Sequence, residues 1–306
     1  MAAVRSGRPR AIGRVISLVE NRSPRLPALA RALAPDTGRA HIIGLTGSPG
    51  VGKSTTTAAL VGALREQGRR VGVLAVDPSS PFSGGALLGD RVRMQAHAVD
   101  PGVYIRSMAT RGHLGGLAVA APQALRVLDA AGFDVVLLET VGVGQSEIEV
   151  AGLADTTLVL LAPGMGDGVQ AAKAGILEIG DIFVVNKSDR EGAQALIREL
   201  RGMVALGERD PDQWKPPIVA TVASRGEGIA DLLGRIEQFR AAQQVSGAWT
   251  ARRVERARQE VEGLVLARLQ ADLALDPATG LDTLAKAVSR GEVDAYTAAD
   301  RVRPTR

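Results

Sequence analysis

A glycine-rich segment constrains the fold of this chain more than any other part of the sequence. Residues 47–54 read GSPGVGKS, which fits the pattern G-x-x-x-x-G-K-[ST]. An apolar run over residues 41–45 precedes the segment, and a helical pattern over residues 53–64 follows it. Strand, glycine-rich turn and helix in this order predict a P-loop, in which backbone N–H groups and the start of the helix face the phosphates of a nucleotide.

Each position of this segment has an expected task at the phosphates. The glycines let the backbone wrap around the anion. Lys53 is expected to reach the β- and γ-phosphates and to act in catalysis, and the Ser54 hydroxyl is expected to ligate Mg²⁺. The predicted phosphate-binding residues are Gly47, Ser48, Pro49, Gly50, Val51, Gly52, Lys53, Ser54 and Thr55. A chance match in a chain with 36 glycines is the alternative, and the strand–loop–helix context argues against it.

Apolar runs recur along the middle of the chain and alternate with helical stretches. Several of these runs are continuously apolar, as expected of strands that helices cover on both faces. The predicted strands are residues 41–45, 70–76, 103–107, 134–138, 157–161, 182–185 and 218–222. We therefore predict an α/β P-loop NTPase fold with a doubly wound, mostly parallel sheet.

Both ends of the chain have helical spacing without strand patterns. Residues 1–38 are predicted to form an N-terminal helical extension, residues 39–240 the P-loop domain and residues 241–306 a C-terminal helical arm. In the arm, apolar residues such as Val261 and Val265 recur at helical spacing among charged ones. This face is expected to join a second copy of the chain in a homodimer, and packing on its own P-loop domain is the alternative.

A second motif predicts which base the nucleotide carries. Asn186, Lys187, Ser188 and Asp189 follow the predicted strand 182–185. The Asp189 carboxylate can accept from guanine N1–H and from the exocyclic amine, a donor pair that adenine lacks. Asn186 is expected to contact the purine N7 edge, and the Lys187 stem is expected to cover the ring. A plain polar turn is the alternative reading of these residues.

A second base-binding segment is predicted after the strand 218–222. It comprises Val222, Ala223 and Ser224, and the Ala223 N–H is expected to bond guanine O6. GTPases usually have serine where this chain has Val222, so a backbone contact is expected here and a side-chain contact is not.

Acidic residues at strand ends are candidates for holding Mg²⁺. Asp77 and Glu139 end predicted strands, and Asp90 lies in a glycine-rich loop. We expect Mg²⁺ near Ser54, Asp77, Asp90 and Glu139, with Asp77 and Glu139 also in catalytic roles. A loop cap or a surface charge is the alternative for each acid.

Two further residues are candidates for contacts with the nucleotide's phosphates. Gly142 is positioned to offer its N–H to the γ-phosphate. For Arg111 two readings stay open, namely neutralisation of phosphate charge in the transition state and an ordinary surface arginine.

Composition excludes several classes of protein. The chain has no cysteine, so disulfides and thiolate metal sites are impossible. No apolar run approaches the ~20 residues of a membrane-spanning helix, and the arginine-rich start lacks the apolar block of a secretory signal. The net charge of +4 comes from arginines spread along the chain, which favours a solvated surface over a nucleic-acid site. We expect a cytoplasmic protein with neither a membrane nor a nucleic acid as partner.

Several segments together resemble the MeaB family, also called ArgK, and the similarity runs through nearly all of residues 10–305. The segments are residues 47–55, 76–80 (VDPSS), 84–90 (GGALLGD), 111–116 (RGHLGG), 139–147 (ETVGVGQSE) and 186–189. Members of this family are G-protein chaperones of adenosylcobalamin-dependent methylmalonyl-CoA mutase and related acyl-CoA mutases. The resemblance is carried most specifically by the strings at 84–90 and 139–147.

The resemblance implies a GTPase that gates cobalamin delivery to the mutase and protects it from inactivation. It implies GTP and Mg²⁺ as cofactors, the mutase as partner with its adenosyltransferase as a second candidate, and a C-terminal dimerisation arm. Residues 164–170 look like the family's additional switch, and there Gly168 stands where an acidic residue is usual. Val222 is a second departure from the common GTPase pattern.

Three other functions are alternatives to this one. A nickel-metallochaperone GTPase needs clustered Cys or His, whereas this chain has only His41, His97 and His113, far apart in sequence. An ATP- or GTP-dependent kinase associated with amino-acid transport is an alternative, and the base preference predicted from Asp189 argues against its ATP-dependent form. A nucleotide-gated scaffold without significant turnover is a further alternative that the residues leave open.

Overall fold

In the described part of the chain, one sheet of seven parallel strands forms the centre of the fold. The computed structural model describes residues 1–78, 97, 99–110, 116–140, 151–164, 177–206, 214–275 and 280–302. The strands are β1 His41–Thr46, β2 Val71–Pro78, β3 Val103–Thr110, β4 Val135–Thr140, β5 Thr156–Leu161, β6 Ile182–Asn186 and β7 Ile218–Thr221. Each predicted strand is present with its ends shifted, and the predicted α/β fold is confirmed.

The strand order places β1 at the centre of the sheet. The order is β3-β2-β4-β1-β5-β6-β7, so β4 lies between β1 and β2 on one side, and β5, β6 and β7 follow in sequence on the other side. In the register, Leu45 of β1 lies beside Glu139 of β4 on one side and Leu158 of β5 on the other. The segment that follows β1 therefore leaves the sheet between two neighbouring strands, which is where doubly wound folds bind ligands.

Helices alternate with the strands and extend beyond them at both ends of the chain. They are α1 Ala2–Arg5, α2 Pro9–Glu20, α3 Leu26–Leu33, α4 Lys53–Glu66, α5 Gly116–Ala130, α6 Leu177–Ile179, α7 Ala193–Leu206, α8 Ile229–Val245, α9 Ala248–Leu275, α10 Leu281–Ser289 and α11 Ala295–Arg301. Short 3₁₀ turns occupy Ala34–Asp36 and Ala223–Arg225.

Helices cover both faces of the sheet, which explains the continuous apolar runs. Val135 and Leu137 of β4 belong to a buried cluster with residues of α4 and α8. Val136 and Leu138 belong to a cluster on the opposite face with residues of α2 and α5, and β5 and β6 pack there with α7. Successive side chains of a strand point to opposite faces, so both must be apolar when both faces are buried.

The chain divides into two compact units. The first comprises Met1–Arg256 and the second Ala257–Arg306. The predicted boundaries at residues 38 and 240 stay a prediction. In the second unit Val261 and Val265 are 60% and 50% exposed, and Leu266, Leu269 and Leu281 are also exposed.

The first turns of α9 are fastened to the amino-terminal edge of the sheet, within the first unit. Arg252 donates to both carboxylate oxygens of Asp181, at 2.8 and 2.9 Å. Arg253 donates to both oxygens of Asp155, at 2.9 and 2.8 Å, and Arg256 donates to the same carboxylate. We call Trp249, Arg252, Arg253 and Arg256 the α9 root.

The Asp155 carboxylate is at the centre of these contacts. Its residue is 1% exposed, and its Oδ2 also accepts from the Ile42 N–H at 2.9 Å. Burial by itself raises the pKa of Asp155, but the ion pairs with Arg253 and Arg256 outweigh burial and hold that pKa below its usual range. The buried charge is therefore compensated, and it depends on the α9 root for that compensation.

Within the described part of the chain, no helix combines the length and apolar character needed to cross a membrane.

Candidate functional site

The predicted nucleotide-binding residues that the structure describes lie at one edge of the sheet. Residues 47–52 follow β1, Glu139 lies near the end of β4, and Asp77 near the end of β2. Asn186 ends β6, and Ala223 follows β7. All these strands are parallel, so their carboxyl ends meet at the same edge. The structure thus brings the phosphate, metal and base candidates together at the strand ends.

Lys53 is held across the glycine-rich loop. Its ammonium donates to the carbonyl oxygens of Gly47 and Ser48, at 2.5 and 3.2 Å. The residue is 7% exposed although it carries a charge, and it begins helix α4. A buried ammonium beside a helix amino terminus creates a positive field, which suits the phosphates of a nucleotide.

Ser54 and Glu139 are in direct contact. The Ser54 hydroxyl lies 2.6 Å from Glu139 Oε1, and the Thr57 hydroxyl lies 2.9 Å from Glu139 Oε2. Glu139 is 2% exposed. Residues 54 and 57 share one face of helix α4, because residues three apart are neighbours on a helix. The helix thus presents two hydroxyls to the carboxylate at the end of β4.

This donor set fits Mg²⁺. Magnesium prefers oxygen ligands and is often held by a hydroxyl, a carboxylate and phosphate oxygens together. A serine hydroxyl that donates its proton to Glu139 keeps its lone pairs for a cation. Ser54 and Glu139 are therefore the described residues with the chemistry to hold the ion, directly and through the hydrogen bond. In the described part of the chain, no cluster of three or more His, Cys, Asp or Glu residues forms a metal site by itself.

Other predicted site residues are placed only in part. Asp77 lies in β2, where its Cα is paired with that of Ala109. Asp90, Arg111, Gly142 and Gly168 lie outside the described residues. Thr55 is exposed on helix α4, next to the buried Ser54. The roles assigned to these residues from the sequence stay predictions.

Asn186 ties the base motif to the phosphate loop. Its Nδ2 donates to the carbonyl oxygen of Val51 at 2.8 Å, and its Oδ1 accepts from Thr221 Oγ1 at 3.2 Å and from the Ala223 N–H at 3.1 Å. Gly52 has φ +101°, and a Cβ atom there would lie 2.2 Å from Asn186 Nδ2. Only glycine leaves room for this approach.

Lys187 makes a second connection to the same loop. Its ammonium donates to the carbonyl oxygen of Gly50 at 2.6 Å. Its backbone has φ +57°, a conformation uncommon for residues other than glycine. A side chain in this position can lie along the face of a base while its head remains on the loop.

Asp189 lies at the exposed mouth of the base motif. Its side chain is 39% exposed, and its Oδ2 lies 3.2 Å from Arg225 Nη1. Ser224, which the sequence predicts near the base, is exposed, while Val222 and Ala223 are buried beside Asn186. The structure therefore leaves the Asp189 carboxylate accessible to a ligand and gives it an arginine neighbour.

Sequence reasoning missed several contacts of this site, of which three join side chains or segments with predicted roles. Thr57 pairs with Glu139, Asn186 bridges to Val51, and Arg225 pairs with Asp189. The helical spacing from Ser54 could have indicated Thr57. The other two join segments far apart in the chain, and no spacing rule in a single sequence predicts such pairs.

Comparisons with known proteins show what this chain is similar to. Residues 12–278 match the sequence model of the family described as methylmalonyl Co-A mutase-associated GTPase MeaB. A putative GTPase of Pyrococcus abyssi is 45% identical over 306 residues, which cover 98% of this chain and 93% of that protein. GTPase ArgK of Escherichia coli is 38% identical over 264 residues, which cover 84% of this chain and 78% of ArgK.

A solved structure is similar over nearly the whole chain. It is the crystal structure of a LAO/AO transport system kinase, with a TM-score of 0.70 and 29% sequence identity. The similarity covers 98% of this chain and 94% of the other. The two chains are therefore similar in both fold and sequence, over the P-loop region and over both ends of this chain.

Proposed function

This chain belongs to the family of methylmalonyl-CoA mutase-associated GTPases called MeaB, and from this membership we propose that it is a Mg²⁺-dependent GTPase that serves a cobalamin mutase. The proposed role is to gate cobalamin loading of methylmalonyl-CoA mutase or a related acyl-CoA mutase and to protect that enzyme. The observation that carries the proposal is the arrangement at the phosphate loop. Lys53 contacts the loop, Ser54 contacts Glu139, and the guanine motif lies next to the loop.

The phosphate end of the site supports hydrolysis by positioning and charge neutralisation. Lys53, whose ammonium contacts the phosphate loop, is proposed to neutralise the β- and γ-phosphates. Ser54 and Glu139 would hold Mg²⁺, which when bound supplies positive charge to the phosphate oxygens. Asp77 is proposed to assist from the end of β2, and Asp90, Arg111 and Gly142 are proposed to complete the site.

The base end of the site supports a preference for guanine. Asp189 has an accessible carboxylate, and Asn186 and Lys187 fix its segment against the phosphate loop. A site built to pair with polar donors rejects a base that lacks them. We therefore propose GTP as the substrate and adenine nucleotides as poor competitors.

The partner proposal rests on the family's description. A GTPase whose loops respond to the γ-phosphate is useful as a switch when another protein binds one nucleotide state better than the other. The proposed reader of this state is the adenosylcobalamin-dependent mutase, with its adenosyltransferase as a second candidate. We further propose a homodimer through the second unit, supported by the exposed Val261, Val265 and Leu269, which recur four residues apart.

The testing experiment measures phosphate release from GTP by the full chain and two variants. Lys53→Ala is expected to lower turnover by about 10²-fold or more, because it removes the cation nearest to the phosphates. Lys215→Ala is the matched control, since Lys215 is exposed and precedes β7 at the opposite edge of the sheet. Unchanged turnover in a folded Lys53→Ala protein contradicts the assignment of the phosphate site.

The same assay is then repeated with increasing amounts of a purified cobalamin mutase from the same cell. Turnover is expected to rise by ~10-fold, which corresponds to about 1.4 kcal/mol of transition-state stabilisation. Affinity for the mutase is expected to differ between a GTP analogue and GDP. If no cobalamin mutase of that cell changes turnover or shows this difference, the chaperone role is wrong and the GTPase assignment stands.

A further inference from the structure

In the base-binding segment after β7, the two buried residues, Val222 and Ala223, lack a side chain that could orient Asp189. The side chain of Val222, a residue that is 6% exposed, carries no donor and cannot hydrogen-bond a carboxylate. Ala223 donates its N–H to Asn186 Oδ1 at 3.1 Å. A carboxylate that is 39% exposed has freedom to rotate, and that freedom must be lost when it binds a base.

Arg225 supplies the missing contact. Its Nε lies 2.7 Å from Glu227 Oε1 and its Nη2 lies 3.4 Å from Glu227 Oε2, so one edge of the guanidinium faces a carboxylate. Its Nη1 lies 3.2 Å from Asp189 Oδ2. Since the guanidinium is planar, its contact with Glu227 favours the orientation in which Nη1 faces Asp189.

The loop that carries Arg225 is held by its own backbone. Val222 and Glu227 form an antiparallel bridge, in which the Val222 N–H donates to the Glu227 carbonyl oxygen at 3.0 Å. Gly228 has φ +78°, and a Cβ atom there would lie 2.2 Å from the Ala220 carbonyl oxygen. The turn therefore packs closely against the backbone of β7, and this packing keeps Arg225 beside the base motif.

The geometry points to Arg225 as a positioning residue that orients the Asp189 carboxylate and so contributes to the choice of guanine over other purines. The inference rests on the proposed function, in which Asp189 reads the base. Arg225 contacts one oxygen of Asp189, and each carboxylate oxygen has two lone pairs. The carboxylate can therefore accept from Arg225 and still accept from guanine N1–H and the 2-amino group.

The test measures the affinity of the full chain for GDP, IDP and ADP, three nucleotides that are not substrates for hydrolysis of a γ-phosphate. IDP keeps the N1–H donor and lacks the 2-amino group, so the ratio of GDP to IDP affinity reports how well Asp189 binds both donors. In Arg225→Ala we expect GDP affinity to fall by about fivefold, the effect of one exposed charge pair. IDP affinity is expected to fall less and ADP affinity to stay unchanged.

Two further variants separate positioning from damage to the loop. Glu227→Gln is also expected to lower the ratio of GDP to IDP affinity, but by less than Arg225→Ala does. In an Asp189→Ala background, Arg225→Ala is expected to change no affinity, because its target is absent. Arg235→Ala is the matched control, because Arg235 is an arginine of α8 with a side chain that is 43% exposed and that pairs with Asp231.

The outcomes distinguish this inference from the proposed function. An equal loss of affinity for GDP, IDP and ADP in Arg225→Ala indicates a damaged loop and overturns the inference. No loss, or the same loss in the Asp189→Ala background, also overturns it while the guanine preference of the unmodified chain stands. If the unmodified chain binds GDP and ADP equally, the proposed base recognition itself is wrong.

Discussion

His41 is a buried ionisable residue at the start of the central strand. It is 1% exposed, its Nε2 lies 2.8 Å from Thr156 Oγ1, and its ring contacts Trp249 with the centroids 5.2 Å apart. Burial lowers the pKa of His41 to about 4; nearby Asp155 raises that pKa, whereas Arg240 and Arg253 lower it further. The imidazole is therefore neutral in the folded chain at neutral pH.

This neutrality predicts a loss of stability in mild acid. Between the unfolded pKa of 6.5 and the folded pKa of about 4, the unfolded chain binds the His41 proton and the folded chain does not. The free energy of unfolding is thus expected to fall as pH drops through this window, by up to about 3 kcal/mol. The measurement is urea unfolding at several pH values from 7 to 4.

His41→Gln is expected to flatten the pH dependence, because glutamine does not titrate and can still reach Thr156. The control is His97→Gln. His97 lies outside β1 and is only partly buried. If His41→Gln leaves the steepness of the pH profile unchanged, the predicted role of this residue is wrong.

Single residues of the candidate site were predictable where a short motif contains them. The motif at residues 47–54 predicted Lys53 and Ser54 as site residues; in the structure the Lys53 ammonium contacts the loop and the Ser54 hydroxyl contacts Glu139. The motif at 186–189 did not reveal that the Asn186 amide bonds Val51. A motif predicts which residue types bind a ligand, but it carries no information on how two distant motifs contact each other.

At the scale of elements, the strands were predictable and the α9 root was not. Continuous apolar runs indicate strands because both faces of this sheet are covered, by α4 and α8 on one side and by α2, α5 and α7 on the other. The root depends on pairs such as Arg253 with Asp155, which are 98 residues apart. Arginines on an amphipathic helix are usually solvated, so no pattern in the sequence indicates these pairs.

The α9 root predicts where the chain can be shortened. A chain that ends at Arg240 leaves the buried Asp155 and Asp181 without their arginines, whereas one that ends at Gln259 keeps them. Removing the partners of a buried charge costs about 3 kcal/mol or more. Urea unfolding, measured with and without GDP, should therefore show a much lower midpoint concentration of urea for the chain that ends at Arg240 than for the chain that ends at Gln259. Equal midpoints for the two truncations would mean that the root does not stabilise the first unit.

At the scale of the whole molecule, the prediction concerns self-association. Residues of the second unit that are large and apolar remain exposed in the single chain, and Val261, Val265 and Leu269 recur at helical spacing. If they meet a second copy, light scattering at micromolar concentration gives a dimer for the full chain and a monomer for the chain that ends at Gln259. Val265→Asp is expected to give a monomer as well.

The matched control for self-association is Val245→Asp. Val245 is 90% exposed at the end of α8 in the first unit, so its substitution tests whether any exposed valine has this effect. A full chain that is monomeric at these concentrations contradicts the dimer. A Val265→Asp protein that remains dimeric contradicts the assigned surface and leaves the dimer itself in place.

The hydrogen bonds from Asn186 to Val51 and from Lys187 to Gly50 join the two halves of the nucleotide site within the protein itself. The distance between the two halves is thereby fixed during folding. The site is preorganised, so a nucleotide that binds does not lose affinity to the ordering of these segments. Both acceptors are backbone carbonyl oxygens, so these contacts depend on the path of the loop backbone and not on the side chains of residues 50 and 51. A phosphate loop from another nucleotide-binding protein would therefore keep both contacts if it followed the same path and had glycine at position 52, where a Cβ atom would lie 2.2 Å from Asn186 Nδ2.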